Sequence, residues 1–282
     1  MTAKILDGKA LSKKIRAELK EEIQKLSKEK MRPPGLAVVL VGKDPASEVY
    51  VRNKSRACEE IGIQTFDHHY EADFSEDDLQ ALIQHLNNEE KVDGILVQLP
   101  LPAHINADDI VELIHPNKDV DGFHPYNLGQ LTQNRTNLRS CTPYGIMKLL
   151  ETAGEPVKGK HVVIIGASNI VGRPMALECL NADYTVTVCH KYTKNIAEHI
   201  ARADIVISAV GKPHLIKGEW IKEGSIVIDV GTTRLEDGSF AGDVEFDIAK
   251  ERASYITPVP GGVGPMTVAM LLVNTVTRWK LS

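Results

Sequence analysis

The sequence predicts an α/β protein with two domains, each built on a parallel sheet. Short apolar runs recur along the chain and alternate with segments of helical periodicity, which is typical of strands joined by crossover helices. The series restarts after a helix near Thr142, and 282 residues suffice for two ordinary domains. We therefore place the first domain at residues 1–140 and the second at residues 141–266. A terminal helix, residues 267–282, is expected to pack back on the first domain.

The amino-acid composition is that of an ordinary globular protein and argues against nucleic-acid and membrane partners. Hydrophobic residues make up 43% and charged residues 25%, as in ordinary globular proteins. A net charge of −5 without any basic run argues against a nucleic-acid partner. We expect no membrane partner, because no apolar stretch is long enough to span a bilayer and no signal core is visible. Four scattered cysteines without metal spacing indicate reduced thiols in a cytoplasm, and no metal site.

The first half of the chain alternates strands with helices. Strands are predicted at residues 36–41, 63–66 and 93–99, and helices at 11–26, 47–61, 75–86 and 106–114. Ser47 is the expected N-cap of the second helix, and Ser75 with Asp78 forms a capping box for the third. Ligands of such sheets bind at the carboxyl ends of strands. Gln98 stands at one of these ends.

Tyr50 and Lys54 lie at the N-terminal end of the inner face of the second predicted helix. Tyr50, Lys54, Ala57 and Ile61 share one stripe, and the last two belong against a core. Lys54 either packs its stem on apolar surface while its ammonium reaches water, or it is half-buried and gives up its proton unusually easily. In the second case the Tyr50 ring would hold a flat substrate beside it.

The loop at residues 117–125 carries Asp119 and Asp121, the latter directly before Gly122. A carboxylate here can bond its own backbone and make a turn. It can instead grip a pair of N–H groups on a heterocycle with both oxygens. The residues alone leave this choice open.

The second half repeats the strand–helix pattern and is Rossmann-like. Strands are predicted at residues 160–165, 185–188, 204–211 and 225–231, after a helix at residues 142–154 that Thr142 caps. A glycine turn from Gly166 to Gly172 follows the first strand, with Ser168 where the dinucleotide fingerprint has its middle glycine. A turn at a helix N-terminus offers N–H groups to a phosphate; the alternative is a turn without a ligand.

The next strand ends in His190 and Lys191. An acidic residue there would bind a ribose 2′-hydroxyl, whereas a basic pair attracts a 2′-phosphate, so the sequence predicts NADP rather than NAD. A plain surface charge is the other interpretation of Lys191. Residues 255–267 are dense in glycine and proline, which indicates a tight backbone path or a rigid linker. Thr267 is the expected cap of the helix that follows.

Four segments in this order give the chain a specific resemblance. They are residues 42–54 with Tyr50 and Lys54, residues 97–102, residues 118–122 and residues 258–267. With them the chain resembles bifunctional methylenetetrahydrofolate dehydrogenase/methenyltetrahydrofolate cyclohydrolase of the FolD type over essentially its whole length. The resemblance implies a homodimer whose protomers bind tetrahydrofolate derivatives in a cleft between a catalytic domain and an NADP-binding domain.

The resemblance also implies roles for individual residues. Tyr50 would stack on the folate, Lys54 would be the catalytic lysine, Gln98 would adjust it and Asp121 would hold the pterin. The implied cofactor-binding residues are Gly166, Ala167, Ser168, Thr232, His190, Lys191 and Thr267. Further substrate contacts are implied for Pro260, Gly261 and Gly262.

Two positions depart from the family pattern. Many members have Arg, which can serve the 2′-phosphate, where this chain has Ala167, so Lys191 and Arg173 must be considered for that task. Many have Ile-Asn where this chain has Thr232 and Thr233. Two other functions stay open from the residues: a lyase in which Lys54 forms a Schiff base, and a regulatory NADP sensor without turnover.

Overall fold

The computed structural model describes residues 2–30, 32–136, 138–156 and 158–282, apart from the side chains of Pro45 and Ala46. The strands are β1 (Lys4–Ile5), β2 (Gly35–Val41), β3 (Gln64–Tyr70), β4 (Gly94–Val97), β5 (His161–Ile165), β6 (Thr185–Cys189), β7 (Ile205–Ser208), β8 (Ile226–Asp229), β9 (Thr233–Arg234), β10 (Phe240–Ala241) and β11 (Tyr255–Ile256). The helices are α1 (Gly8–Lys30), α2 (Pro45–Ile61), α3 (Glu76–Asn88), α4 (Ala107–Leu113), α5 (Pro125–Thr132), α6 (Cys141–Ala153), α7 (Gly172–Asn181), α8 (Ile196–Ile200), α9 (Phe246–Arg252) and α10 (Val263–Leu281). None of the described helices combines the length and the apolar character needed to cross a membrane.

The chain forms two compact units. The first unit contains Lys13–Cys141 and Val268–Ser282, and the second contains Met1–Ser12 and Thr142–Thr267. The sequence-based boundary assigned the opening residues to the first domain, whereas the structure groups them with the second unit. The physical reason is β1, which pairs in parallel with β11. Two residues are too few to show a strand pattern in the sequence.

The first unit is built on a three-stranded parallel sheet in the order β3-β2-β4. The central strand β2 is buried along its whole length, which explains its unbroken apolar run. Helices α3 and α4 bury apolar side chains against one face, including Leu79, Ile83 and Ile110. Beyond β4, Asp119 forms a single parallel bridge with Ile95 and so extends the sheet edge.

Two predicted strands of this unit have different lengths in the structure. Strand β3 runs to Tyr70 and pairs with all of β2, four residues beyond the predicted end at residue 66. Its second half is polar because β3 is an edge strand, so the apolar pattern stops before the strand does. Strand β4 is shorter than predicted and ends at Val97.

The cap of α2 is Asp44 and not Ser47. The Asp44 carboxylate accepts a hydrogen bond from the Ser47 backbone N–H at 2.8 Å. Pro45 then occupies the first helical position, where its missing N–H costs nothing. Helix α2 ends at Ile61 and is capped by Gly62, whose φ of +92° is the left-handed conformation that favours glycine.

The second unit is a six-stranded parallel sheet in the order β1-β11-β8-β7-β5-β6, with an additional antiparallel pair β9-β10. The α/β class and the Rossmann-like series predicted from the sequence are confirmed. Two caps differ from the prediction. Helix α6 begins at Cys141, one residue before Thr142. Helix α10 begins at Val263, so Thr267 lies inside the helix, with Oγ1 2.9 Å from Thr142 Oγ1.

Candidate active site

Lys54 lies in the middle of α2, the helix that follows β2. Lys54 is 9% exposed, and its Nζ donates a hydrogen bond to Gln98 Oε1 at 3.1 Å. Ala57 and Ile61 on the same stripe are buried, as the periodicity predicts. Tyr50, one turn earlier, keeps 44% of its surface exposed. The ammonium is therefore directed at Gln98 and is not simply solvated, while the phenol ring remains free for a ligand.

Gln98 holds this orientation because both ends of its amide are bonded. It directly follows β4, and its Nε2 donates to the Leu99 carbonyl at 2.7 Å. That bond assigns the nitrogen to one side and leaves Oε1 facing Lys54. A neutral acceptor can orient an amine without favouring its charged form as strongly as a carboxylate would.

The two aspartates of the following loop have different tasks. Asp119 accepts hydrogen bonds from the backbone N–H groups of Gly122, Phe123 and His124 at 2.8–3.2 Å. A fourth comes from Asn127 Nδ2 at 2.8 Å. Asp119 is thus the turn-maker. Across the described residues, no hydrogen bond to the Asp121 carboxylate is present, which leaves both of its oxygens for another partner.

The surroundings of Asp121 disfavour the ionised form of its carboxyl group. Burial raises the pKa of Asp121 to about 6, the positive charge of Lys54 opposes the rise, and the Asp119 carboxylate adds to it. Asp121 is half-buried and its carboxylate lacks protein partners, so it would gain from a ligand with two N–H groups.

The backbone that carries Asp121 is clamped by a residue of the terminal helix. Asn274 of α10 is 1% exposed, and its Nδ2 donates to the carbonyls of Val120 and Arg139, both at 2.8 Å. The Cys141 N–H donates to the Asp121 carbonyl at 3.2 Å. Sequence reasoning missed Asn274. The signal was an asparagine in an otherwise apolar stretch of helix, where an amide must find buried partners.

The glycine turn of the second unit fits a dinucleotide. Gly166 has φ of +117°, and a Cβ there would lie 2.3 Å from the Ala209 carbonyl oxygen, so the turn approaches the segment after β7 closely. Within the described chain, the backbone N–H groups of Ser168, Asn169 and Ile170 donate to no protein acceptor. Free N–H groups just before α7 suit a phosphate.

Three side chains shape this turn. Ser168 Oγ accepts from the backbone N–H groups of Val171 at 3.2 Å and Gly172 at 3.4 Å, and its hydrogen remains available to a ligand. Arg173 Nε donates to the Ala167 carbonyl at 3.2 Å. This bond uses only Nε, so the terminal nitrogens of the exposed Arg173 can still reach a ligand, and Arg173 stays a candidate for the 2′-phosphate beside Lys191.

His190 and Lys191, the basic pair after β6, have different contacts. The His190 ring accepts at Nδ1 from the Tyr192 N–H at 3.2 Å and so holds the loop. Lys191 is exposed, its Nζ lies 4.9 Å from the centroid of the Tyr192 ring, and no carboxylate of the described chain pairs with it. Lys191 is accordingly a cation that remains available to a ligand.

The other predicted contacts also belong to the second unit. Thr232 is exposed in the segment between β8 and β9. Pro260 follows a cis peptide bond, and Gly261 has φ of +108° with its carbonyl accepting from the Lys9 N–H at 2.9 Å. A Cβ at Gly8 would lie 1.8 Å from the Gly262 carbonyl oxygen, so this segment runs tightly against the start of α1. The described residues contain no cluster of metal-binding side chains.

Comparison with known proteins gives consistent matches over both units. Residues 6–121 match the profile of the tetrahydrofolate dehydrogenase/cyclohydrolase catalytic domain, and residues 140–282 match that of the corresponding NAD(P)-binding domain. The chain is 58% identical over 281 residues to the bifunctional protein FolD of Methylobacillus flagellatus, covering 100% of this chain and 97% of that protein.

Solved structures agree with these matches. The FolD methylenetetrahydrofolate dehydrogenase/cyclohydrolase of Campylobacter jejuni has 52% identity and a TM-score of 0.95, with 99% of each chain covered. The corresponding enzyme of Trypanosoma brucei, solved with NADP cofactor and inhibitor, has 43% identity and a TM-score of 0.96. That comparison covers 100% of this chain and 98% of the other.

Proposed function

Because the chain belongs to the tetrahydrofolate dehydrogenase/cyclohydrolase family, we propose that it catalyses two consecutive reactions on one folate. It is a bifunctional, NADP-dependent enzyme of one-carbon folate chemistry. The dehydrogenase oxidises 5,10-methylenetetrahydrofolate to 5,10-methenyltetrahydrofolate, and the cyclohydrolase converts that product to 10-formyltetrahydrofolate. The observation that best supports specific roles is the Lys54–Gln98 pair close to an Asp121 carboxylate without protein partners.

Folate recognition is proposed for Tyr50 and Asp121. The ring of Tyr50 is exposed at the head of the Lys54 stripe and can stack on a flat heterocycle. Asp121 can accept two parallel N–H bonds from the pterin, which relieves the shortage of partners that its burial creates. We assign further substrate contacts to Pro260, Gly261 and Gly262 on the resemblance alone.

The oxidation requires little acid–base catalysis by the protein. The hydride leaves a carbon flanked by two nitrogens whose lone pairs stabilise the resulting cation, so no protein base is obligatory. NADP, when bound, supplies the acceptor of that hydride. The task of Tyr50 and Asp121 in this step is to hold the folate in one orientation, since alignment carries most of such a rate.

The hydrolysis requires a base for the attacking water and an acid for the leaving nitrogen. Lys54 is proposed for both tasks. As an amine it takes the proton of water while the new C–O bond forms, and as an ammonium it returns a proton to nitrogen when the C–N bond breaks. Gln98 Oε1, 3.1 Å from Nζ, keeps the group pointed at the same place through both states.

For the cofactor we propose Gly166, Ala167 and Ser168 at the phosphates, with Thr232 and Thr267 nearby. The free N–H groups of the glycine turn and its Ser168 hydroxyl support the phosphate assignment. His190 is assigned to shaping the loop after β6, and Lys191 to the 2′-phosphate.

Lys191→Ala is expected to raise KM for NADP about tenfold and to leave KM for NAD within about twofold, since one charge-assisted bond to the 2′-phosphate is lost. Steady-state kinetics with both cofactors measures this. Lys158→Ala, at a side chain 84% exposed in the same unit, is the matched control. A proportional change for both cofactors would contradict the assignment.

The proposed function is tested by mixing purified protein with methylenetetrahydrofolate and NADP while following NADPH and methenyltetrahydrofolate together. We expect NADPH to rise while methenyltetrahydrofolate stays low, because the same protein consumes it. Methenyltetrahydrofolate accumulating in step with NADPH would contradict the cyclohydrolase. Failure to form NADPH would contradict the dehydrogenase.

We also propose, on the resemblance alone, that the protein is a homodimer. A monomer in light scattering at micromolar concentration would contradict this. Action in a reducing cytoplasm is proposed from the cysteines, all four of which are free and buried.

A further inference from the structure

The second unit contains two buried carboxylates that the proposed chemistry does not use. Asp229 ends β8 and is 4% exposed, and Asp243 follows β10 and is 0% exposed. In the described chain neither forms an ion pair with Lys, Arg or His. Buried charges without counter-ions must be stabilised by hydrogen bonds, so the partners of these two groups indicate their purpose.

Asp243 fastens the segment that follows β7. Its Oδ2 accepts from Ser208 Oγ at 3.0 Å and from the Val210 N–H at 2.8 Å, and its Oδ1 accepts from the Lys212 N–H at 2.9 Å. Two alternate backbone N–H groups of one loop thus converge on one carboxylate. The three groups that bond this carboxylate all donate to it, so an acceptor with two oxygens suits the place.

Asp229 fastens the segment that follows β8 to the same place. Its Oδ1 accepts from the N–H groups of Gly231 at 2.9 Å and Asp243 at 3.0 Å, and its Oδ2 accepts from the Val244 N–H at 2.9 Å. Asp229 therefore also fixes the backbone of Asp243. The two carboxylates join three chain segments into one hydrogen-bonded unit.

No side chain could be added between these segments. A Cβ at Gly231 would lie 2.3 Å from Asp243 Oδ1, and a Cβ at Gly242 would lie 2.1 Å from Asp229 Oδ2. Both glycines allow the backbone to approach the carboxylates directly. The close fit means that a change at Asp243 is transmitted to the segments and is not absorbed by empty space.

The fastened segments border the proposed cofactor site. They follow the carboxyl ends of β7 and β8, the edge at which open parallel sheets bind ligands. The first contains Ala209, whose carbonyl a Cβ at Gly166 would touch, and the second leads from Gly231 into Thr232. The segments after β7 and β8, which border the proposed cofactor site, are therefore both held by Asp229 and Asp243.

We propose that Asp243, supported by Asp229, is a positioning residue for NADP: it holds the segments after β7 and β8 in the conformation that receives the cofactor. The proposal rests on the proposed function. It assigns Asp243 no contact with the substrate and no part in the hydrolysis, which needs no cofactor. The two activities of one protein then provide an internal control.

Asp243→Asn tests the proposal. The amide places an NH₂ group against backbone N–H donors, so at least one bond is lost and the segments shift. We expect KM for NADP to rise about tenfold or more, and the cyclohydrolase rate, measured from added methenyltetrahydrofolate without NADP, to stay within about twofold. Asp237→Asn, at an exposed carboxylate that bonds Ser239 in the same unit, is the matched control.

Equal loss of both activities would show a merely structural role and overturn the proposal, as would an unchanged KM for NADP. If Asp243→Asn fails to fold, Ser208→Ala removes only one donor and is expected to raise KM for NADP about two- to fivefold with the cyclohydrolase intact. An unchanged KM in that variant overturns the proposal as well. Wild-type protein lacking both activities would instead contradict the proposed function.

Discussion

Lys54→Met is expected to lower the cyclohydrolase rate by about a thousandfold or more while part of the dehydrogenase activity remains. The hydrolysis uses the Lys54 amine to take a proton and the ammonium to return one, and methionine can do neither. The oxidation needs the folate aligned, and the side chains of Tyr50 and Asp121 remain in place, although loss of the Lys54 charge lets the pKa of Asp121 rise further and so costs part of the folate binding. Methionine also fills most of the volume of the 9% exposed lysine, so the packing of α2 is largely kept.

Two separate assays measure this division. The dehydrogenase is followed as NADPH formation, and the cyclohydrolase as the decay of added methenyltetrahydrofolate corrected for its uncatalysed hydrolysis. Lys14→Met, at a lysine side chain 74% exposed, is the matched control. Equal loss of both activities with intact folate affinity would assign Lys54 to alignment and not to proton transfer. Retained cyclohydrolase would remove Lys54 from the mechanism.

The position of Lys54 could be predicted because it depends on the periodicity of the sequence around it. Helical periodicity alone places Lys54 on the stripe of Ala57 and Ile61, and a strand that ends in a turn places that stripe at the sheet edge. The structure then adds what periodicity cannot contain, which is that Nζ meets Gln98, a residue 44 positions further along the chain. The contact itself depends on the pairing of β2 with β4.

The roles of the two aspartates could not be separated in the sequence. Asp119 and Asp121 both lie just before Gly122, and either can make a turn. The choice is made by Asn127 on α5 and by the parallel bridge of Asp119 to Ile95, which direct Asp119 inward to the backbone. The short strands β1 and β11 could not be predicted from the sequence either, because each is formed by pairing with a strand that is distant in the sequence.

Asp121→Asn is expected to raise KM for folate at least about tenfold and to lower both activities, since the amide cannot accept two parallel N–H bonds. The effect reaches both reactions because both use the same bound folate. Initial rates at varied folate measure it, with binding of a non-reactive folate analogue as an independent readout. An unchanged KM for folate in both assays would contradict the gripping role.

The pKa of Asp121, raised to about 6 by burial, gives the same contact a pH dependence. The folded protein binds a proton at Asp121 more readily than the unfolded chain, whose aspartate has a pKa of about 3.9. The contribution of Asp121 to stability therefore falls as the pH rises from about 4 to about 6, and above that range its buried charge is a cost. Folate affinity has the opposite trend, because the ionised carboxylate is the form that accepts two bonds.

Asp121→Asn should therefore weaken folate binding without lowering the free energy of unfolding at pH 7.5, and it should flatten the loss of folate affinity below pH 6. Asp119→Ala provides the contrast: it removes the acceptor of four hydrogen bonds and is expected to lower the melting temperature. Thermal unfolding and analogue binding from pH 5 to pH 8 measure both properties. A destabilised Asp121→Asn protein, or one whose affinity keeps the wild-type pH profile, would show that the Asp121 charge serves the fold and not the ligand.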